Sequence, residues 1–113
     1  FSPTPSLCAM AANKFKMRMN VRTYNLSGMG CSASLLAVDL ASELLQNNPN
    51  SIAVVVSTEL ITQSLYHGHE KGMLLQNTLF RAGGAALCLT NRHYRTSKTS
   101  CADHFRHERC LLV

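Results

Sequence analysis

Hydrophobic and polar positions follow a helical period and a strand period in turn along the first part of the chain. Ser6 precedes apolar residues spaced about one helical turn apart as far as Arg18, so we expect it to cap a helix. Residues 21–26 alternate β-branched or aromatic side chains with polar ones, which predicts a short strand. Residues 31–47 carry one polar stripe on an otherwise apolar segment, which predicts a long and mostly buried helix.

The pattern after this helix favours a sheet. Residues 52–56 are continuously apolar, as in a central strand buried on both faces. Residues 58–77 are polar and irregular and are predicted to be mainly loop, and residues 85–89 are predicted to form a last strand. We expect Gly83 and Gly84 to let the preceding turn pass close to the long helix. The alternation predicts an α/β fold with a largely parallel sheet.

The junction between the first strand and the long helix is the strongest candidate for chemistry. The segment Gly28-Met-Gly-Cys31-Ser-Ala33 places Cys31 at the first turn of the helix. Unpaired N–H groups and the partial positive charge at a helix N-terminus favour a thiolate and can stabilise an oxyanion. A small buried residue at a crowded junction is the alternative, and spacing alone leaves both open, since no His has an evident route to Cys31.

A set of motifs spread over residues 1 to about 92 resembles one enzyme family. The motifs are Phe1-Ser-Pro-Thr-Pro-Ser-Leu, Asn13-Lys-Phe-Lys-Met-Arg18, Tyr24-Asn-Leu-Ser-Gly-Met-Gly-Cys-Ser-Ala33, Asp39-Leu-Ala, Leu44-Leu-Gln, Pro49-Asn-Ser, Val54-Val-Val-Ser-Thr-Glu59, Met73-Leu-Leu, Asn77, Leu79-Phe-Arg81 and Gly83-Gly-Ala-Ala86. They resemble the plant 3-ketoacyl-CoA synthases, the condensing enzymes of very-long-chain fatty acid elongation.

The resemblance implies a fold and a reaction. Family members have a thiolase-like fold of two similar α/β halves, so we expect part of one half, with a mostly parallel sheet and a buried helix bearing the nucleophile. Cys31 matches the cysteine that takes an acyl group from a long-chain acyl-CoA. Malonyl-CoA is then decarboxylated, and its carbanion attacks the thioester to give a 3-ketoacyl-CoA. The two CoA thioesters are substrates, and no further cofactor is expected.

The resemblance also implies partners and a place in the cell. Full-length members are expected to be homodimers at the cytosolic face of the endoplasmic reticulum membrane. Their other catalytic groups, a His and an Asn, belong to the second half of the fold, so we expect this chain alone to accept an acyl group without condensing it. The competing hypothesis is a catalytically inactive, truncated interaction partner of a full-length condensing enzyme.

Composition and charge divide the chain near Asn91. Of the 113 residues, eleven are Lys or Arg and six are Asp or Glu, and residues 92–113 hold five of these basic residues against two acidic ones. We therefore expect a thiolase-like region over 1–91 and a basic, disordered tail over 92–113. The tail lacks a recognisable nucleic-acid-reading fold, so no nucleic-acid partner is expected. The apolar runs are too short for a membrane span, and no signal or targeting segment is expected.

The remaining Cys and His residues carry weaker signals. The tail spaces four borderline zinc ligands, Cys101, His104, His107 and Cys110, at three-residue intervals. On a helix these positions spread round the axis, and the usual Cys-x₂₋₄-Cys pair is missing, so no metal site is expected. We expect Cys8 and Cys88 to be small core residues. His67 and His69 fall in the predicted loop and are expected to be exposed.

Overall fold

A mixed sheet organises the part of the chain that the structure describes. The computed structural model describes residues 3–91 and 109–113, and its strands are β1 (Arg22–Thr23), β2 (Ser51–Glu59), β3 (Gly83–Thr90) and β4 (Arg109–Leu112). Their order across the sheet is β1-β4-β2-β3. Strand β4 is parallel to both of its neighbours, whereas β3 is antiparallel to β2. The predicted α/β fold with a largely parallel sheet is confirmed.

Helices flank the sheet. In the described part of the chain they are α1 (Leu7–Lys14), α2 (Ser32–Asn47) and α3 (Lys71–Leu79), with a 3₁₀ turn at Thr62–Ser64. The cap at Ser6 is confirmed, because its hydroxyl accepts a hydrogen bond from the Ala9 N–H at 3.3 Å. Within residues 3–91 and 109–113, no helix has both the length and the apolar content needed to cross a membrane.

Helix α3 lies in a stretch that the sequence predicted as mainly loop, so that prediction is wrong there. The helix buries none of its residues, although it carries Met73, Leu74, Leu75 and Leu79, so packing against the rest of the described chain does not hold it in place. A tertiary contact fixes it. The Asn77 amide accepts from the Tyr66 N–H at 3.0 Å and donates to the Tyr66 carbonyl at 2.9 Å.

The core lies on both faces of the sheet. Ile52, Val54 and Leu112 point to one face, where they pack against side chains of α1 and the segment that follows it. Ala53 and Val55, the neighbours of these β2 residues along the chain, point to the opposite face because side chains alternate along a strand. There they pack with a stripe of α2. The buried residues of this second cluster are Ala37, Ala41, Leu45, Ala53, Val55, Leu111 and Val113.

Helix α2 is less buried than the sequence predicted. Its buried residues are Ala37, Ala41 and Leu45, which are four residues apart and so lie on one face. Leu35 is 77% exposed, and Leu36 is exposed as well. The sheet covers one face of α2, and among the described residues nothing of comparable extent covers the opposite face. Apolar composition over residues 31–47 therefore overstated the burial.

Strand β4 is a correction to the predicted tail. Disorder was expected over 92–113, but Arg109–Leu112 forms a strand, and Leu111, Leu112 and Val113 are buried. Hydrogen bonds continue on both sides of it, from the Tyr24 N–H to the Leu112 carbonyl at 2.7 Å and from the Val113 N–H to the Val54 carbonyl at 2.9 Å. The sequence prediction missed this strand because the short apolar run at residues 111–113 follows a strongly basic segment. Residues 92–108, which include Cys101, His104 and His107, lie outside the described residues.

One side chain ties the far end of α2 to the sheet. The Asn91 side-chain oxygen accepts from the Ser51 N–H at 3.0 Å. Its amide group donates to the Asn48 carbonyl at 2.9 Å and also to the Leu45 carbonyl. The end of β3 therefore holds the last turn of α2 and the start of β2 together, which fixes where α2 lies on the sheet.

The burial of Leu112 predicts a large effect on stability. Leu112 is 2% exposed, so Leu112→Ala removes packed side-chain atoms from a central strand. We expect the free energy of unfolding, measured by urea titration, to fall by about 2–5 kcal/mol. Leu87→Ala is the matched control, because Leu87 is 49% exposed on β3, and it should change stability by no more than about 0.5 kcal/mol. Equal losses in the two variants would contradict a central position for β4.

Candidate active site

A glycine-rich turn delivers Cys31 to the start of α2. Gly28 and Gly30 have positive φ angles of 76° and 60°, a backbone region that glycine enters without steric cost. A Cβ at either position would meet no atom within 4 Å, so the requirement is for backbone conformation rather than for space. The Ser32 hydroxyl donates to the Met29 carbonyl at 2.6 Å, and this bond closes the turn.

Cys31 is exposed and immediately precedes the helix. Its φ and ψ of −63° and −22° are already helical, and its side chain makes no capping hydrogen bond. The Ala33 N–H donates to the Gly30 carbonyl at 3.1 Å, while the first N–H groups of any helix lack partners within the helix. The predicted position at the N-terminus of α2 is confirmed. The exposed thiol does not fit the alternative of a small buried residue.

Cys31 borders a cleft of about 520 Å³. The parallel strands β1, β4 and β2 end at the same edge of the sheet, and α2 begins at that edge. Crevices at the carboxyl ends of parallel strands are the usual ligand sites of α/β sheets. The lining is mostly apolar or small: Leu7, Cys8, Ala11, Tyr24, Asn25, Leu26, Gly30, Cys31, Ala33, Ser34, Ala37, Val56, Ser57, Thr58, Glu59, Ile61, Leu79, Phe80, Arg81, Gly83, Gly84, Ala85, Leu112 and Val113.

A second thiol lines the same cleft in a more buried position. The half-buried Cys8 donates a hydrogen bond from its thiol to the Tyr24 carbonyl at 2.7 Å. Burial raises the pKa of the Cys8 thiol above its ordinary value, so Cys8 stays protonated at neutral pH. A protonated, hydrogen-bonded thiol is a poor nucleophile.

The other Cys and His predictions have mixed outcomes. Cys8 packs against the buried cluster of Ile52, Val54 and Leu112 but is only half-buried, so its predicted place in the core is confirmed in part. Cys88 is exposed on β3, so its predicted place in the core is wrong. His67 and His69 are exposed, as predicted, and neither lines the cleft. The part of the chain that the structure describes contains no group of three or more side chains suited to hold a metal ion.

The structure adds residues to the site that sequence reasoning did not place there. Leu112 and Val113 form part of the wall, although they come from the predicted tail. The sequence feature that could have indicated their burial is the apolar run at residues 111–113. Arg81 also lines the cleft, and no local pattern marked it, because its place depends on how α3 meets β3. Glu59 also lines the cleft, at the end of β2.

The sequence predicted that Gly83 and Gly84 let the turn pass close to the long helix. The structure shows a close approach at Gly84, but to a different element. A Cβ at Gly84 would lie 3.1 Å from the Ser57 carbonyl oxygen. The tight contact is therefore with strand β2 rather than with the helix that follows Cys31. Both Gly83 and Gly84 line the cleft, so side chains at these positions would also narrow it.

Comparison with known proteins decides the family. The sequence model described as "FAE1/Type III polyketide synthase-like protein" matches residues 1–109. The chain belongs to this family. It is 63% identical to 3-ketoacyl-CoA synthase 5 of Arabidopsis thaliana over 92 residues, which are 81% of this chain and 19% of that protein. Over the same length it is 61% identical to 3-ketoacyl-CoA synthase 6 of the same plant, covering 18% of that protein.

These matches confirm the resemblance to plant 3-ketoacyl-CoA synthases. The chain spans about a fifth of the length of the curated relatives it matches. No solved structure matches the chain. The family match ends at residue 109, so most of β4 lies beyond it, although β4 is central to the sheet.

The two thiols in the cleft should differ in reactivity. At neutral pH we expect iodoacetamide to label Cys31 at least about tenfold faster than Cys8, because Cys31 is exposed whereas the Cys8 thiol is half-buried, protonated and hydrogen-bonded. Labelling of Cys8 should rise only as the pH approaches its raised pKa. Peptide mass spectrometry over a pH series measures both rates, and chain unfolded in guanidinium, where the two rates should converge, is the control. Equal labelling rates in the folded chain would contradict this arrangement.

Proposed function

We propose that Cys31 is the acyl acceptor of a 3-ketoacyl-CoA synthase reaction, in which a long-chain acyl-CoA is condensed with malonyl-CoA in very-long-chain fatty acid elongation. The observation that carries the proposal is the place of Cys31, exposed at the start of α2 and on the border of a mostly apolar cleft. The relatives named 3-ketoacyl-CoA synthases support the choice of substrates.

The acyl transfer itself is a thioester exchange. The Cys31 sulfur, having released its proton to solvent, attacks the carbonyl carbon of the acyl-CoA thioester. A new carbon–sulfur bond forms, and the electron pair of the carbonyl moves onto oxygen. When the carbonyl re-forms, the bond to the CoA sulfur breaks and CoA leaves as a thiolate that takes up a proton. A thiolate suits this step because it is both a soft nucleophile and a good leaving group.

Two features of the site favour this step. Apart from the Ala33 N–H, which donates to the Gly30 carbonyl, the first N–H groups of α2 have no partner within the helix and can donate to the oxyanion on the attacked carbonyl. The apolar wall, which includes Leu7, Leu26, Val56 and Leu112, suits the hydrocarbon chain of the substrate. Burial of that chain is favourable at roughly 25 cal/mol per Å² of apolar surface removed from water.

The length of the match with the relatives indicates which part of the reaction this chain performs. The chain covers about a fifth of its relatives, so we propose that it corresponds to part of one half of a thiolase-like enzyme. It carries the acyl group and by itself forms no 3-ketoacyl-CoA. The complete reaction is proposed to occur at the cytosolic face of the endoplasmic reticulum membrane, with a homodimeric enzyme.

Acyl transfer to Cys31 predicts release of CoA in proportion to the protein. Mixing the full chain with a long-chain acyl-CoA should release about one equivalent of free CoA, measured by liquid chromatography, because one thiol is acylated once. Cys31→Ala should abolish this release, whereas Cys88→Ala, which changes another exposed cysteine, should leave it intact. Release that persists in Cys31→Ala would contradict the proposed role.

A second candidate function, that of a catalytically inactive interaction partner, is favoured by the position of β3 in the sheet. Among the described strands, β3 pairs with β2 and is one of the two edge strands of the order β1-β4-β2-β3. Its residues Gly83–Cys88 are exposed, and Leu87 adds an apolar side chain. Exposed apolar edge strands are templates for pairing with another chain. In this function the chain binds a full-length condensing enzyme through β3.

The interaction hypothesis predicts a complex that a charge on β3 disrupts. We expect the chain to co-elute with detergent-solubilised 3-ketoacyl-CoA synthase 5 of Arabidopsis thaliana on size-exclusion chromatography, and Leu87→Lys to weaken the complex at least about tenfold, since lysine blunts edge strands. Leu35→Lys is the matched control, because Leu35 is exposed on α2 rather than on β3. No co-elution at micromolar concentrations, or equal weakening by both variants, would rule out docking through β3.

A further inference from the structure

Arg81 occupies a defined place in the cleft. Helix α3 ends at Leu79, and Phe80 continues in an extended conformation toward β3, which begins at Gly83. The Arg81 Nε group donates to the Thr78 carbonyl at 3.3 Å. Thr78 lies in the last turn of α3, where the unpaired carbonyls attract a cation. This contact uses one N–H group of the guanidinium and leaves its two terminal amino groups for a ligand.

The charges around the cleft make Arg81 distinctive. Among the described residues that line it, Arg81 is the only lysine or arginine. Glu59 carries the only side-chain carboxylate in the same set. No ion pair links Arg81 to a carboxylate within the described segments. An arginine without a carboxylate partner at a cleft is suited to an incoming anion, because its planar fork can bind phosphate or carboxylate through two N–H groups.

We propose that Arg81 binds an anionic group of the CoA thioester that enters the cleft, and so selects CoA-linked or malonyl-linked substrates over neutral thioesters. The inference rests on the proposed function, since it takes the cleft to be the thioester site. A CoA thioester presents phosphates and a malonyl thioester presents a carboxylate, which are the two anion classes that arginine recognises best. Arg81 is then a specificity-determining residue on the wall that faces the same cleft as Cys31.

The test separates ligand charge from cleft shape. Binding is measured by isothermal titration calorimetry with full-chain Cys31→Ala, which prevents acyl transfer, and with the same chain carrying Arg81→Gln. Three probes are compared: a medium-chain acyl-CoA, which carries phosphates; malonyl-N-acetylcysteamine, which carries only a carboxylate; and the medium-chain acyl-N-acetylcysteamine, which carries neither. Lys71→Gln is the matched control, because Lys71 is also an exposed cation, at the first position of α3, but does not line the cleft.

Arg81→Gln should raise the Kd of at least one anionic probe about tenfold, the loss expected for a hydrogen bond to a charged group. The Kd of the neutral thioester should stay the same, and the anionic probe affected identifies phosphate or carboxylate as the bound group. Arg81→Lys should cause a smaller loss, and added salt should reduce the difference between Arg81 and Gln. Lys71→Gln should leave all three Kd values unchanged.

Two outcomes would overturn the assignment of Arg81. One is an equal loss of affinity for the neutral and anionic thioesters, which would make Arg81 a determinant of cleft shape. The other is no loss for either anionic probe. Because the readout is binding without acyl transfer, both outcomes are distinguishable from failure of the proposed function, which would appear as absence of CoA release by the chain with its native Cys31.

Discussion

The insertion of β4 between β1 and β2 is the interaction on which the rest of the structure depends. Among the described strands, β1 pairs with β4 alone, so β1 is joined to the sheet only through it. The turn that carries Cys31 follows β1 directly. The Tyr24 N–H, at the start of that connection, donates to the Leu112 carbonyl. The arrangement of the cleft therefore depends on β4, which joins β1 to β2.

The same strand builds both layers of the core. Leu112 points toward α1, whereas Leu111 and Val113 point toward α2, since side chains alternate along a strand. Leu112 and Val113 also line the cleft. One short segment thus links stability to the shape of the site, because changes that loosen it act on the sheet, on both helix layers and on the wall that faces Cys31.

The cleft combines three kinds of group that suit the proposed long-chain thioester substrate. Most of its wall is apolar, Cys31 lies at its border beside a helix N-terminus, and Arg81 supplies a positive charge. Cys8 adds a thiol of different character, since burial raises its pKa and it donates to the Tyr24 carbonyl. The contrast arises from position, because one thiol is exposed at a turn and the other is packed between helix and strand.

The sequence predicted the elements that depend on neighbouring residues or on a strong hydrophobic pattern. The Ser6 cap, the glycine turn, α2 and the central strand β2 all follow from side-chain types within a few residues. Strand β4 did not, because its pairing depends on residues far away in sequence. For the same reason the sequence did not predict the exposure of Leu35 and Leu36 or the position of Arg81. Burial and cleft lining depend on which elements of the fold meet. The candidate site residue Cys31 was predicted from the turn and from the family motifs together.

The most direct test of the central claim is to locate the acyl group on the protein. The full chain is incubated with a long-chain acyl-CoA, digested, and mapped by tandem mass spectrometry before and after treatment with hydroxylamine, which cleaves thioesters. The account predicts a hydroxylamine-sensitive acyl group on the peptide that contains Cys31, and none on the peptides that contain Cys8 or Cys88. An acyl group found on either of those peptides but not on Cys31, or no acylation at all, would contradict it.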